Sequence, residues 1–163
     1  MSRQHPILDR YTENLASGKL LWIGLRPERK ADMVQVTRVK AIEGLGLEGD
    51  RRCKGSPGSG RQVTLISQEH IVVMESILGK KSIAPEILRR NLVVSGINLM
   101  VLRHRRFRIG DAEFEGTLPC HPCKRMEDAL GSGGFSAMYG HGGLCAKVLV
   151  SGDFGIGDAV EKL

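Results

Sequence analysis

A chain of 163 residues with 41 % apolar content is long enough for one domain with a buried core. Its 24 basic and 18 acidic residues leave a net charge of +6, which fits either solvated cationic faces and strand edges or an anion site, while one Trp, two Tyr and four Phe are too few for a base-stacking platform, and no recognised motif supports a nucleic-acid role. No apolar run approaches the roughly 20 residues of a membrane span, and residues 1–10 lack the apolar centre of a signal peptide; the cytoplasm is the expected compartment, where four cysteines stay reduced.

In chain order, Asp9 to Ala16 carries Tyr11 and Leu15 on one helical face and predicts a short N-terminal helix, within an extension over residues 1–20 that precedes the main domain, 21–163. Leu20 to Leu25 reads as a strand. Met33 to Ile42 alternates with one change of phase, which predicts a strand with a bulge. Gln62 to Ile66 is a further strand. Ser67 is placed to cap a helix running to Leu78, with Ile71, Met74, Ile77 and Leu78 on its buried face. Pro85 to Arg90 predicts a short helix and Asn91 to Val94 a strand. Phe107 to Ile109 and Ala112 to Thr117 form a hairpin around Gly110-Asp111. Lys124 to Leu130 is helical; Leu144 to Ser151 and Ala159 to Lys162 close the chain as strands. Many short strands punctuated by 21 glycines predict a mostly β, barrel-like or sandwich fold.

Two glycine-rich segments resemble nucleotide motifs without their context. Gly44 to Gly49 fits G-x-G-x-x-G, but Asp50 to Gly55 and Ser-Pro-Gly-Ser-Gly follow where a dinucleotide site needs a helix. Gly55 to Gly60 has P-loop spacing, yet Arg61-Gln62 stands in place of Lys-Ser/Thr. The chemistry concentrates instead in Pro119-Cys-His-Pro-Cys-Lys-Arg125, with two thiols three residues apart beside cations that favour a thiolate. One CxxC supplies two of four zinc ligands, and His121, His141 and Cys145 stand at no common finger spacing. A redox dithiol would need a thioredoxin-like βαβ setting, which the short strands do not provide. A third reading is a single thiolate, with Lys124 and Arg125 beside it, that binds a soft transition metal. Cys145 lies in an apolar run and reads as a small core residue.

Several segments taken in order resemble a MOSC domain, named for the C-terminal part of molybdenum-cofactor sulfurases: Gly46-Leu-Glu-Gly-Asp50-Arg51, Arg61 to Ile66, Arg89-Arg90-Asn91 to Gly96, Phe107 to Gly110, Pro119 to Arg125, Gly142-Gly143 and Gly155 to Asp158. The resemblance runs from about Leu21 to Leu163. It implies a β-barrel with a few short peripheral helices and a pocket for molybdenum cofactor, a pterin dithiolene bearing a phosphate. It also implies a functional cysteine that is a metal ligand in some members and a proposed sulfur carrier in others. The matching position is Cys123, with Cys120 as second choice. The resemblance places Arg51, Arg61, Arg90 and Arg125 as anion donors and Asn91 as a neutral one, with Asp50 in the same motif. Gly46 and Gly49 would let backbone approach the cofactor closely.

Sulfurases add a pyridoxal-phosphate desulfurase domain, for which 163 residues leave no room, so sulfur would come from a partner cysteine desulfurase. The leading expectation is a protein that binds molybdenum cofactor through Cys123 and, as an oxidoreductase, reduces N-hydroxylated compounds with an external reductase. The alternatives are a persulfide or cofactor carrier without turnover and a structural or redox CxxC protein.

Overall fold

The computed structural model describes residues 6–163; the first five residues of the expected N-terminal extension lie outside it. Helix α1 (Pro6–Tyr11) leads into β1 (Gly18–Leu25), β2 (Val34–Val36), β3 (Arg38–Ile42) and β4 (Gly46–Leu47). β5 (Val63–Ser67), α2 (Gln68–Leu78), α3 (Pro85–Leu88) and β6 (Leu92–Ser95) form the middle of the chain. β7 (Arg106–Ile109), β8 (Ala112–Pro119), α4 (Lys124–Leu130), α5 (Gly134–Met138), β9 (Leu144–Val150), β10 (Gly152–Gly155) and β11 (Ala159–Lys162) complete it.

Seven strands pair in the order β11-β7-β8-β9-β5-β6-β1, and β1 pairs back onto β11, so the sheet closes into a barrel as the sequence predicts. Closure removes the exposed edges that an open sheet would present. β5 and β6 run parallel, and α2 with α3 makes the crossover that a parallel pair requires. β10, β3 and β4 form a second, three-stranded sheet.

Two apolar clusters follow from the alternation of side chains along the strands. Leu20, Ile23, Leu65, Leu92, Phe107, Phe114 and Phe154 fill one of them, where Phe107 stacks on Phe114 at 5.3 Å and Phe154 meets Phe114 edge-on at 5.8 Å. The second cluster joins Trp22, Ile66 and Val93 to Ile71, Met74, Leu88, Met126 and Leu130 of the helices. Strands β5 and β6 contribute to both clusters, whereas β7 alternates buried Phe107 and Ile109 with exposed Arg106 and Arg108. The helices therefore cover the β5–β6–β1 side of the barrel, and the loops between these elements carry the site.

Four local expectations are corrected. The first helix lies at Pro6–Tyr11, earlier than Asp9 to Ala16. Met33 to Ile42 is two strands: β2 pairs with β1 and β3 with β10 in the other sheet, so the phase change at Thr37 is a passage between sheets. Ile77 is 58 % exposed because the covering contacts of α2 come from Ile71 and Met74, with Leu78 only partly buried. Ser67 occupies the N-cap, but its hydroxyl donates to Glu69 at 2.6 Å and caps no backbone amide.

Candidate functional site

Three loops meet over the helix-covered side of the barrel. The first leaves β1 at Arg26, the second joins α3 to β6 through Arg89-Arg90-Asn91, and the third runs from the end of β8 through Cys120 and Cys123 into α4. Where they meet, a cavity of about 160 Å³ is lined by Arg26, Lys30, Arg51, Arg89, Arg90, Arg125, Cys123 and Met126. Among the described residues no carboxylate lines it. It adjoins a groove of about 560 Å³ that shares Lys30, Arg89 and Arg125 and adds Met33, Ile87 and Ala129 with Asp32 and Glu86.

The cavity wall rests on a buried polar network. Asp50, 1 % exposed, accepts from the Arg26 amide at 2.9 Å, from its guanidinium at 3.2 Å, from Arg52 N at 3.0 Å and from Asn91 Nδ2 at 2.9 Å. Asn91 is fully buried; its Oδ1 accepts from Arg26, Thr64 N and Thr64 Oγ1, and its Nδ2 also donates to Gly24 O. Every polar atom of Asn91 is thus engaged within the protein, as burial demands. The network fixes Arg26 as it leaves β1.

Arg90 is 7 % exposed and spends its donors on carbonyls: Nε to Gly142 O at 2.8 Å, Nη1 to Leu88 O at 3.1 Å, and Nη2 to Cys120 O and His121 O at 3.3 and 3.5 Å. Among the described residues it pairs with no carboxylate, so its charge adds positive potential to the cavity while the side chain holds the cysteine loop. Gly142 and Gly143 complete that seat. A Cβ at Gly142 would overlap the Cys120 carbonyl, and one at Gly143 would overlap the Leu65 carbonyl, where φ is already +98°. The Gly143 carbonyl accepts from Cys120 N at 2.8 Å.

Arg89 caps α3 in the left-handed region at φ 55° and donates to Ala31 O at 2.8 Å, which ties α3 to the loop bearing Lys30, itself at φ 64°. Two of the three non-glycine residues with positive φ among the described residues therefore line this cavity, where backbone strain is often concentrated. Burial, then the charges of Arg125, Arg26 and Arg51, pull the Arg89 guanidinium below its ordinary pKa, a sign of how closely the cations crowd.

The two cysteines differ. Cys123 is exposed and lines the cavity. Cys120 is half-buried, and its thiol is brought from 9.0 down to about 6: the hydrogen bond from the Cys145 thiol is the largest cause, and with the charges of Arg90, Arg61 and Arg26 it outweighs burial. Cys145 is pushed up by donating that bond and by its burial.

Of the residues expected from sequence, the cavity gathers Cys123, Arg51, Arg90 and Arg125. Asp50 and Asn91 stand behind its wall as scaffold. Arg61 is exposed, and its charge reaches Cys120 from outside the cavity. The close approach at Gly46 is to Gln62 O, 2.8 Å from a hypothetical Cβ, and that at Gly49 is to Leu25. Arg89 belongs to the Arg89-Arg90 cation pair visible in the sequence, while Arg26 and Lys30 follow β1 without any motif. Among the described residues no group of three or more His, Cys, Asp or Glu is placed to hold a metal.

The fold is similar to that of the YuaD protein from Bacillus subtilis, at 21 % identity and TM-score 0.76, covering 90 % of this chain and 96 % of that one. It is also similar to YiiM from Escherichia coli, at 20 % identity and TM-score 0.68, with coverage of 89 % and 69 %. YiiM from Geobacillus stearothermophilus aligns at 16 % identity and TM-score 0.72, with coverage of 90 % and 75 %. A sequence search of curated proteins returned no match. The MOSC domain family model matches residues 50–161, which span the 3-10 turn after Asp50, the cysteine loop and the last strand, and the chain belongs to the MOSC domain family.

Proposed function

We infer that this protein binds an anionic, phosphate-bearing molybdenum cofactor in the cavity between its three loops, with Cys123 as the thiolate that meets the metal. The observation that carries this reading is the place of Cys123 in a cavity otherwise lined by six cations and Met126. The donor set suits such a group: a thiolate is a soft ligand, and guanidinium groups bind phosphate bidentately. Arg51 and Arg125 are exposed and Arg89 partly so; with Lys30 they would hold the anionic part. Arg90 and the Asp50–Asn91–Arg26 network keep the wall in position. When bound, the group supplies a metal that passes two electrons.

The chain's own residues then bind, orient and shield. Cys123 precedes Lys124, the first residue of α4, and its loop is held at Cys120 by Arg90 and Gly143. The apolar floor of the adjoining groove, Met33, Ile87 and Ala129, offers room for the body of a substrate beside that thiol. An N-hydroxylated compound reduced there would lose its oxygen as water, with two electrons from an external reductase and two protons from solvent.

The test is turnover. Protein purified from a host that makes the cofactor is supplied with an N-hydroxylated amidine and a chemically reduced dye. Conversion to the amidine by the wild type and its loss in Cys123→Ala is the expected result. Retained molybdenum without conversion would leave a carrier, the second reading, which the exposure of Cys123 to a partner favours. Incubation with a cysteine desulfurase and free cysteine would then add the mass of one sulfur atom to Cys123; no adduct would remove the persulfide form.

A further inference from the structure

Cys120 and Cys145 take no part in the cavity chemistry described above, yet they form a thiol pair across the strand ladder. β8 and β9 pair as Gly116↔Ala146 and then, after a one-residue slip, as Pro119↔Leu144. Cys120 N donates to Gly143 O at 2.8 Å, which puts Cys145 two residues along the neighbouring strand, the diagonal partner of Cys120. In this register the two side chains share one face of the sheet, and the Cys145 thiol is the largest influence on that of Cys120. The two differ in access: Cys145 is 1 % exposed, while Cys120 is half-buried at the end of the ladder.

We propose that Cys120 and Cys145 are an oxidation site, in which a hydroperoxide oxidises the accessible Cys120 and the buried Cys145 resolves it to a cross-strand disulfide. The Cys120 sulfur attacks the peroxide, an S–O bond forms as the O–O bond breaks, and the departing oxygen leaves as water or an alcohol. The Cys145 sulfur then attacks the Cys120 sulfenic acid. An S–S bond forms, the S–O bond breaks, and hydroxide leaves as water with the Cys145 proton. Two thiols lose two electrons and the peroxide gains them; a dithiol reductant reverses the bridge by exchange.

Three observations favour this pairing over the sequence-adjacent Cys120–Cys123 pair. The strand register sets Cys145 one diagonal step from Cys120 on the same face, whereas Cys123 lies beyond the ladder at the start of α4. Arg90, Arg61 and Arg26 stabilise a thiolate at Cys120, the form that reacts with peroxides. Cys145 is held on both sides, opposite Thr64 of β5 and with its carbonyl accepting from Thr117 at 3.0 Å, so it waits as a fixed resolving thiol. Closing the bridge therefore draws on Cys120, whose carbonyl is held by the Arg90 side chain, and fastens the segment leading to Cys123 onto β9.

The experiment is disulfide mapping after hydrogen peroxide, with free thiols alkylated at acid pH before tryptic digestion. Cleavage after Arg108, Lys124, Arg125 and Lys147 leaves Cys120 and Cys123 together in peptide 109–124 and Cys145 in 126–147. The expected product is a cross-link between these two peptides that persists in Cys123→Ser and vanishes on treatment with a dithiol. In Cys145→Ser, Cys120 is expected to stop at sulfenic acid, trapped by dimedone; if that variant does not fold, wild type and Cys123→Ser decide the matter. A disulfide looped within peptide 109–124, a cross-link that disappears in Cys123→Ser, or a Cys120 left unmodified by peroxide would overturn the proposal. None of these readouts depends on cofactor, so this proposal and the cofactor reading can fail separately.

Discussion

Burial alone would raise the Asp50 carboxyl, but the Arg26 charge and the amides of Arg26 and Arg52 outweigh it and hold the group below the ordinary 3.8. A depressed carboxylate pKa contributes stability that is present above the unfolded value and is lost as pH falls through the folded one. Asp50→Ala also removes the one carboxylate that both Arg26 and Asn91 Nδ2 donate to, among the described residues. Near neutral pH the variant is expected to lose about 3 kcal/mol of unfolding free energy, the order seen when one member of a buried pair is removed. Urea denaturation should show the gap to wild type narrowing below pH 3.8; a gap unchanged by pH would mean that the carboxylate charge is not what holds Arg26. The residue scale was only partly legible in sequence. Asp50 and Asn91 stood in motifs and read as ligand contacts, whereas their partners, Arg26 and Thr64, lie 24 and 27 residues away. A buried hub and a binding residue carry the same polar side chain in the same motif, and burial separates them.

At the scale of elements, the site depends on how one glycine pair seats the cysteine loop. Gly143 is required twice, by φ +98° and by the Leu65 carbonyl that a Cβ would overlap. Gly79, at φ +64°, has nothing within 4 Å of a hypothetical Cβ and is required once. Gly79→Ala should therefore cost about 1–2 kcal/mol, the left-handed penalty alone, while Gly143→Ala should fail to accumulate as folded protein. Thermal melts and soluble yields of the two variants check this, and equal behaviour would mean that the β9 entrance can shift to accept the methyl. Strand and hairpin periodicity predicted most of the barrel, including the Gly110-Asp111 turn. It did not separate β2 from β3, because only the single bend residue Thr37 lies between the two extended segments. It also left out α5, since Gly131 to Gly134 read as loop while Glu127 turns that segment into a helix start by accepting from Gly133 N and Phe135 N.

For the whole molecule, a closed barrel brings together residues that no local pattern connects. β6 lies between β1 and β5, so the Arg89–Arg90 turn before it meets Arg26 after β1, while pairing of β8 with β9 brings the cysteine loop to the same end. Six cations converge on one thiol with no carboxylate among the residues lining the cavity, an arrangement whose repulsion an anionic ligand would relieve. In sequence, Cys123, Arg51, Arg90 and Arg125 could be picked out as motif members; Arg26 and Lys30 became neighbours of Cys123 only through the topology. The central claim is that this cavity holds molybdenum cofactor through Cys123, and elemental analysis of protein purified from a cofactor-competent host tests it most directly. The account predicts molybdenum approaching one atom per chain in the wild type and its loss in Cys123→Ala, with both proteins folded. Molybdenum absent from the wild type, or equal in the two, would contradict it.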